Sequence, residues 1–286
     1  MEGKLDTLDP MDSRRFLVAV RRLANSFNYG VDKSPYLGSG IEYAQSRPYQ
    51  PGDSVRSIDW RVTARTGKAF VKEYEAPKQI PCYLLLDTSA SMTVGVARHS
   101  KYELALQIAG GLALACLDRA NPVGVLGVGE RELHVEPSLA RDQVMQWIHR
   151  LRTFRYDERT TLARRVSELG TRLNHRALLI ILSDLHDDTA SAALRLMAQR
   201  HDCVALQFRD PAERGLRGAG LILAREAETG HAFVTHGRSE WLNQQRLDTE
   251  LKRAQIDHLI VDTDQPFAHK LRSFFASRDV LGRGTR

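Results

Sequence analysis

PCYLLLDTSASM, residues 81–92, is the stretch on which the reading of the whole chain turns. Tyr83 to Leu86 is apolar without alternation, as expected of a strand covered on both faces. Pro81 bounds it on one side and a polar turn beginning at Asp87 on the other. IILSD, residues 180–184, ends a second apolar strand in the same way. Working outward, strands are predicted at 81–87, 123–128, 132–135, 177–183, 203–208 and 258–261. Helical patterns lie at 100–119, 140–151, 162–173, 189–199, 241–254 and 267–277. Ser100 and Glu103 form an S-x-x-E capping box at the head of the first of these helices. Such alternation predicts an α/β fold, a doubly wound and mostly parallel sheet with helices on both faces. Ligands of such sheets bind beyond the carboxyl ends of the strands, where the strand order reverses.

Two carboxylates therefore emerge at the edge where binding is expected, Asp87 and Asp184. Asp87, Ser89 and Ser91 alternate, so in an extended turn their oxygens can converge on one point. A hard cation such as Mg²⁺ takes about six oxygen ligands and keeps some of them as water. Thr160, in the polar loop ERTTL at 158–162, is the natural fifth residue, with Thr161 its rival. The competing reading is that these are turn and capping hydroxyls, Thr160 being the N-cap of a helix starting at Thr161. His186, Asp187 and Asp188 follow closely. A second metal with His186 as ligand is one reading, and Asp188 as the N-cap of the next helix is the simpler one.

Composition narrows the classes. The chain has 286 residues, 42% hydrophobic and 27% charged, values of a globular protein with a sizeable core. No apolar run reaches the roughly 18 residues of a membrane span, and the first fifteen residues lack the apolar centre of a secretory signal; a cytoplasmic protein is expected. Three cysteines, Cys82, Cys116 and Cys203, stand far apart in apolar segments, which predicts buried thiols and neither disulfides nor a zinc site. The net charge of +6 is scattered, without a basic stripe interleaved with aromatics, so nucleic-acid binding is not expected. There is no GxxxxGK[ST], and Gly124, Gly127 and Gly129 lie in a strand and in the wrong order for a dinucleotide fingerprint.

Before residue 80 the character changes. Residues 11–27 read as a helix, with Phe16, Leu17, Val20, Leu23, Ala24 and Phe27 at helical spacing. Residues 35–76 are punctuated by Gly and Pro and contain strand-like pieces such as AFVKEY, 69–74. This gives three parts: a helix and β-rich segment over 1–80 packed on the sheet, the sheet domain over 81–278, and a flexible tail over 279–286. Asp53, Arg56, Asp59 and Arg65 are read as a structural ion-pair network, desolvated beside Trp60, with an acid–base centre as the alternative.

The D-x-S-x-S turn after an apolar strand resembles the metal-ion-dependent adhesion site of von Willebrand factor A domains. That resemblance implies a site of Asp87, Ser89, Ser91, Thr160 and Asp184, the T-x-L spacing favouring Thr160. It implies Mg²⁺, or Mn²⁺ or Ca²⁺, and a protein partner that offers an acidic side chain. Glu42-Tyr43, Arg47, Gly52-Asp53, Arg56, Ile58-Asp59-Trp60, Ala64-Arg65 and Val71-Lys72-Glu73 resemble the hallmark of a bacterial family, domain of unknown function 58. With the metal motif the likeness runs from residue 35 to about 278. It implies an adaptor working with a MoxR-type AAA+ ATPase in chaperone-like or assembly roles. A metal-dependent hydrolase or phosphotransferase is the alternative. Against it, Ser89 stands where a phosphoryl-transferring D-x-D would need an acid, and no G-x-S-x-G elbow or general base is evident. A nucleic-acid-binding module is the weaker alternative.

Overall fold

The computed structural model describes residues 2–4, 10–28, 42–75, 80–95, 99–155, 158–214, 221–225, 227–236 and 242–278. The chain divides into two units, Met1–Tyr29 with Ile80–Arg286, and Gly30–Gln79. The larger is built on six strands, β1 (Cys82–Leu86), β2 (Val123–Gly127), β3 (His134–Ser138), β4 (Leu178–Ser183), β5 (Asp202–Arg209) and β6 (Asp257–Asp262). Their order across the sheet is 3-2-1-4-5-6, every neighbouring pair parallel except β2 with β3. From β1 the chain builds outward to one side, and from β4 to the other. In sheets of this order the loops leaving the two central strands diverge, and ligands bind beyond their carboxyl ends.

The period of two along a strand sorts the core. Cys82, Leu84 and Leu86 face one apolar cluster, and Tyr83 and Leu85 the other. The first cluster is closed by helices α1 (Pro10–Asn28), α2 (Lys101–Leu117), α3 (Arg141–Leu151) and α7 (Ala268–Arg278). The second is closed by α4 (Leu162–Arg172), α5 (Ala190–Ala198) and α6 (Gln244–Arg253). Helix α2 is buried almost all round, which explains its apolar composition. Gly110 and Gly111 let α1 lie close against it: a Cβ on Gly111 would stand 2.9 Å from Leu23, and one on Gly110 3.0 Å from Ile148 and 3.1 Å from Val20.

Only half of the predicted capping box forms. The Ser100 hydroxyl accepts from the Glu103 amide at 3.1 Å, while the Glu103 carboxylate turns to His99. A hairpin of Leu221–Arg225 and Ala232–His236, unforeseen in the sequence, follows β5. Its apolar residues Leu223 and Val234 face each other across the strands and are exposed. The three cysteines are buried and free. No helix is long and apolar enough to cross a membrane among the described residues.

In the smaller unit, strands Glu42–Pro48 and Phe70–Glu75 pair antiparallel, with a short helix, Trp60–Thr66, between them. The ion-pair network predicted there takes a different form. Asp53 pairs with Arg47 through two 2.8 Å bonds, and Asp59 is a helix cap, accepting from the Arg61 and Val62 amides and, at 2.7 Å, from the Ser46 hydroxyl. Trp60, expected to desolvate them, is 67% exposed at the first position of the helix. The tail 279–286, residues 76–79 at the predicted boundary, Trp241 at the predicted start of α6, and the side chains of Glu42, Tyr43 and Glu73 lie outside the described residues.

Candidate metal centre

β1 stops where Asp87 follows Leu86, and the Asp87 amide still donates to the Leu182 carbonyl of β4 at 2.9 Å. That last rung fixes the two strand ends side by side. Asp87 and Asp184 are both buried. The Ser89 amide donates to Asp87 Oδ1 at 3.0 Å, curling the turn back on its own carboxylate, and the Ser183 hydroxyl donates to Oδ2 at 2.5 Å. Ser89 and Ser91 hydroxyls lie 3.0 Å apart, and Ser91 hydrogen-bonds Asp184. Asp87, Ser89, Ser91 and Asp184, all predicted from the sequence, therefore form one continuous set. Leu185, directly after Asp184, has a φ of 59°. That left-handed conformation costs an L-residue about 1 to 2 kcal/mol, and strain of this kind gathers at functional sites.

Thr160 enters through its loop. The Ala90 amide donates to the Glu158 carbonyl at 2.7 Å, and the Thr161 amide to the Val128 carbonyl at 2.7 Å, which lays the loop against the DTSAS turn. The buried Glu158 carboxylate closes this arrangement. It accepts from the Thr88 hydroxyl at 2.7 Å and from the Arg131 amide and guanidinium at 2.8 and 2.7 Å. Gly129 is required here, because a Cβ would run into both Thr88 Oγ1 and Glu158 Oε1. The two threonines separate cleanly. Thr161, and not Thr160, is the N-cap residue of α4, and its hydroxyl is spent on the Val128 and Gly129 carbonyls at 3.0 and 2.8 Å. The Thr160 hydroxyl is buried and has no hydrogen-bond partner. A buried hydroxyl left so is costly and calls for an occupant.

Electrostatics divides the two aspartates. Burial, then the neighbouring Asp184 charge, pushes the Asp87 carboxyl up to about 7 against the hydrogen bonds from Ser183 and Ser89. No cationic side chain pairs with it among the described residues. Burial opposes the Asp184 charge most strongly, but the ammonium of Lys101, His186 and the Ser91 hydrogen bond together hold Asp184 below its ordinary range. Lys101, the first residue of α2 and buried, donates to Asp184 Oδ2 at 2.8 Å and to Glu213. Donor atoms of Asp184, His186 and Glu213 lie within 4.8 Å of one another. The ammonium already bonded to two of them disfavours the second metal considered for His186. His186 stands 3.9 Å from Glu213, and although burial opposes its charge, Glu213 and Asp184 raise its pKa. Asp188 does not cap α5, since the residue at that position is Thr189, whose amide and hydroxyl donate to Asp187.

The oxygen donors suit a small hard cation: two carboxylates, two serine hydroxyls and one threonine hydroxyl without a partner. Sequence reasoning missed Ser183, Glu158, Lys101, Glu213 and Glu228, whose carboxylate accepts from the Thr160 amide at 3.3 Å. Ser183 and Glu158 adjoin predicted ligands and could have been singled out by that proximity. Lys101 and Glu213 meet the site only through packing.

Fold and site together define a mostly parallel α/β protein with a carboxylate-and-hydroxyl cluster at the junction of its two central strands. The chain belongs to a family of proteins of unknown function, DUF58, whose model matches residues 45–258. It is 31% identical over 198 residues to the uncharacterized protein Rv1480 of Mycobacterium tuberculosis and to Mb1516 of Mycobacterium bovis, in each case over 68% of this chain and 62% of the relative. The uncharacterized protein YeaD of Bacillus subtilis is 27% identical over 100 residues, 35% of this chain and 23% of YeaD. The chain thus spans less than two thirds of the length of these relatives.

Proposed function

We propose that this chain is a von Willebrand factor A-like, divalent-cation-dependent interaction module. Asp87, Ser89, Ser91, Thr160 and Asp184 would hold the cation, Mg²⁺ in the first instance. The observation that carries this reading is the buried, unpartnered Thr160 hydroxyl in a loop tied to the DTSAS turn through the Ala90 amide, together with a buried Asp87 carboxylate that pairs with no cationic side chain among the described residues. The strand order 3-2-1-4-5-6, with both aspartates at the reversal between β1 and β4, supports it. A cation held largely by neutral hydroxyls stays electrophilic toward a further carboxylate, which suits capture of an acidic side chain on a partner protein. The family resemblance makes a MoxR-type AAA+ ATPase the partner to test, in chaperone-like or assembly work. The test is co-precipitation of that ATPase in Mg²⁺ and in chelator, with wild type and Asp87→Ala. Capture should require Mg²⁺ and be lost in the variant while its circular dichroism is retained. Capture unchanged by chelation would refute the reading.

The alternative of metal-dependent hydrolysis gains a candidate proton-transfer group in His186. Glu213 and Asp184 raise its pKa and so favour its protonated form, which works against a role as general base. Binding remains the better account.

A further inference from the structure

Resting on the cation reading above, we infer that Glu228 is an internal carboxylate ligand of the same site, filling the position that a partner's acidic side chain would take. Five protein oxygens leave about one place open on a six-coordinate cation. The turn at Glu228, in the Leu221–His236 hairpin, brings a carboxylate to the Thr160 loop. Glu228 Oε2 accepts from the amide of Thr160, the residue whose own hydroxyl is buried without a partner. A carboxylate on that amide is one residue away, along the backbone, from the donor that most needs a cation.

The bland alternative is that Glu228 merely favours the amino end of α4, where a negative charge is stabilised by the helix dipole. That account gives no reason for the Thr160 hydroxyl to remain unsatisfied beside an anionic neighbour. Leu223 and Val234, paired across the hairpin, are 77% and 66% exposed. The Glu228 contact ties the turn of the hairpin to the Thr160 loop. An incoming Asp or Glu would compete with Glu228 at equal charge, so the site selects a partner that brings further contacts and rejects an isolated acid.

Mn²⁺ as a probe separates the possibilities. Water-proton relaxation per bound Mn²⁺ should be higher in Glu228→Gln than in wild type, by the contribution of about one additional exchangeable water on a six-coordinate ion. Added acetate should lower it again in the variant and much less in wild type. Equal relaxation in two proteins that both bind Mn²⁺ would overturn the role of Glu228 and leave the cation reading standing. Failure of both to bind Mn²⁺ would overturn the cation reading and this inference with it. A thermal melt shows whether the variant is folded: loss of a helix-end charge shifts the melting temperature but leaves the relaxation per bound ion unchanged.

Discussion

Asp87 carries a strain that can be measured without any ligand. In the folded chain its carboxyl is raised to about 7, first by burial and then by Asp184. In the unfolded chain it ionises near its ordinary 3.8. Between those values the unfolded state releases a proton that the folded state keeps, so metal-free stability falls as pH rises from about 4 to 7. Asp87→Asn removes that slope, and at pH 7.5 in chelator it should melt higher than wild type, by on the order of 5 °C. Differential scanning calorimetry across pH checks this, and an unchanged slope would show that Asp87 is not the buried charge. Gly129→Ala has the opposite sign. Its methyl group collides with Thr88 and Glu158, which should cost about 1 to 3 kcal/mol in urea unfolding. Since Glu158 binds the DTSAS turn to the Thr160 loop, cation affinity should fall with it. The five ligand candidates were legible because strand ends and the polar loop ERTTL can be located from local pattern, while the preference for Thr160 over Thr161 came from the family resemblance. Lys101 was not. It meets Asp184 and Glu213 across 83 and 112 residues of sequence, a pairing that exists only once the sheet is assembled.

Among elements, the parallel strands could be read because burial on both faces leaves them nearly all apolar, and α2 because it is enclosed on every side. In the hairpin Leu221–His236, which escaped notice, the paired Leu223 and Val234 are exposed, unlike the side chains of the parallel strands. The α1–α2 crossing depends on two glycines that sequence periodicity treats as neutral. Gly111→Val places a branched side chain against Leu23, and should destabilise the larger unit by about 1 to 3 kcal/mol and speed proteolysis within α1. The smaller unit has its own electrostatic brace. Hydrogen bonds from Arg47 and then from the Gln50 amide hold Asp53 at about 2, below its ordinary 3.8. That contribution is present above pH 4 and is lost as pH falls toward 2. Arg47→Ala should return most of the Asp53 shift, read by carboxyl carbon NMR titration. An Asp53 pKa still near 2 would mean that the backbone amide does the work alone.

For the whole molecule, strand order matters more than any single side chain. Placing β1 beside β4 at the reversal brings carboxylates 97 positions apart, Asp87 and Asp184, close enough to repel. The order could not be derived from the alternation of strands and helices, which is common to many parallel sheets; the two motif-bearing strand ends only suggested that they are neighbours. On the proposed cation reading, binding would be a stabilising event, worth about 2.7 kcal/mol at a hundredfold excess over the dissociation constant. The most direct test is a Mn²⁺ titration followed by the electron paramagnetic resonance signal of free ion, with wild type and Asp87→Ala side by side. One ion bound per wild-type chain, displaced by Mg²⁺ and absent in the variant, is the result expected. Full free-ion signal in the presence of folded wild type would contradict the account.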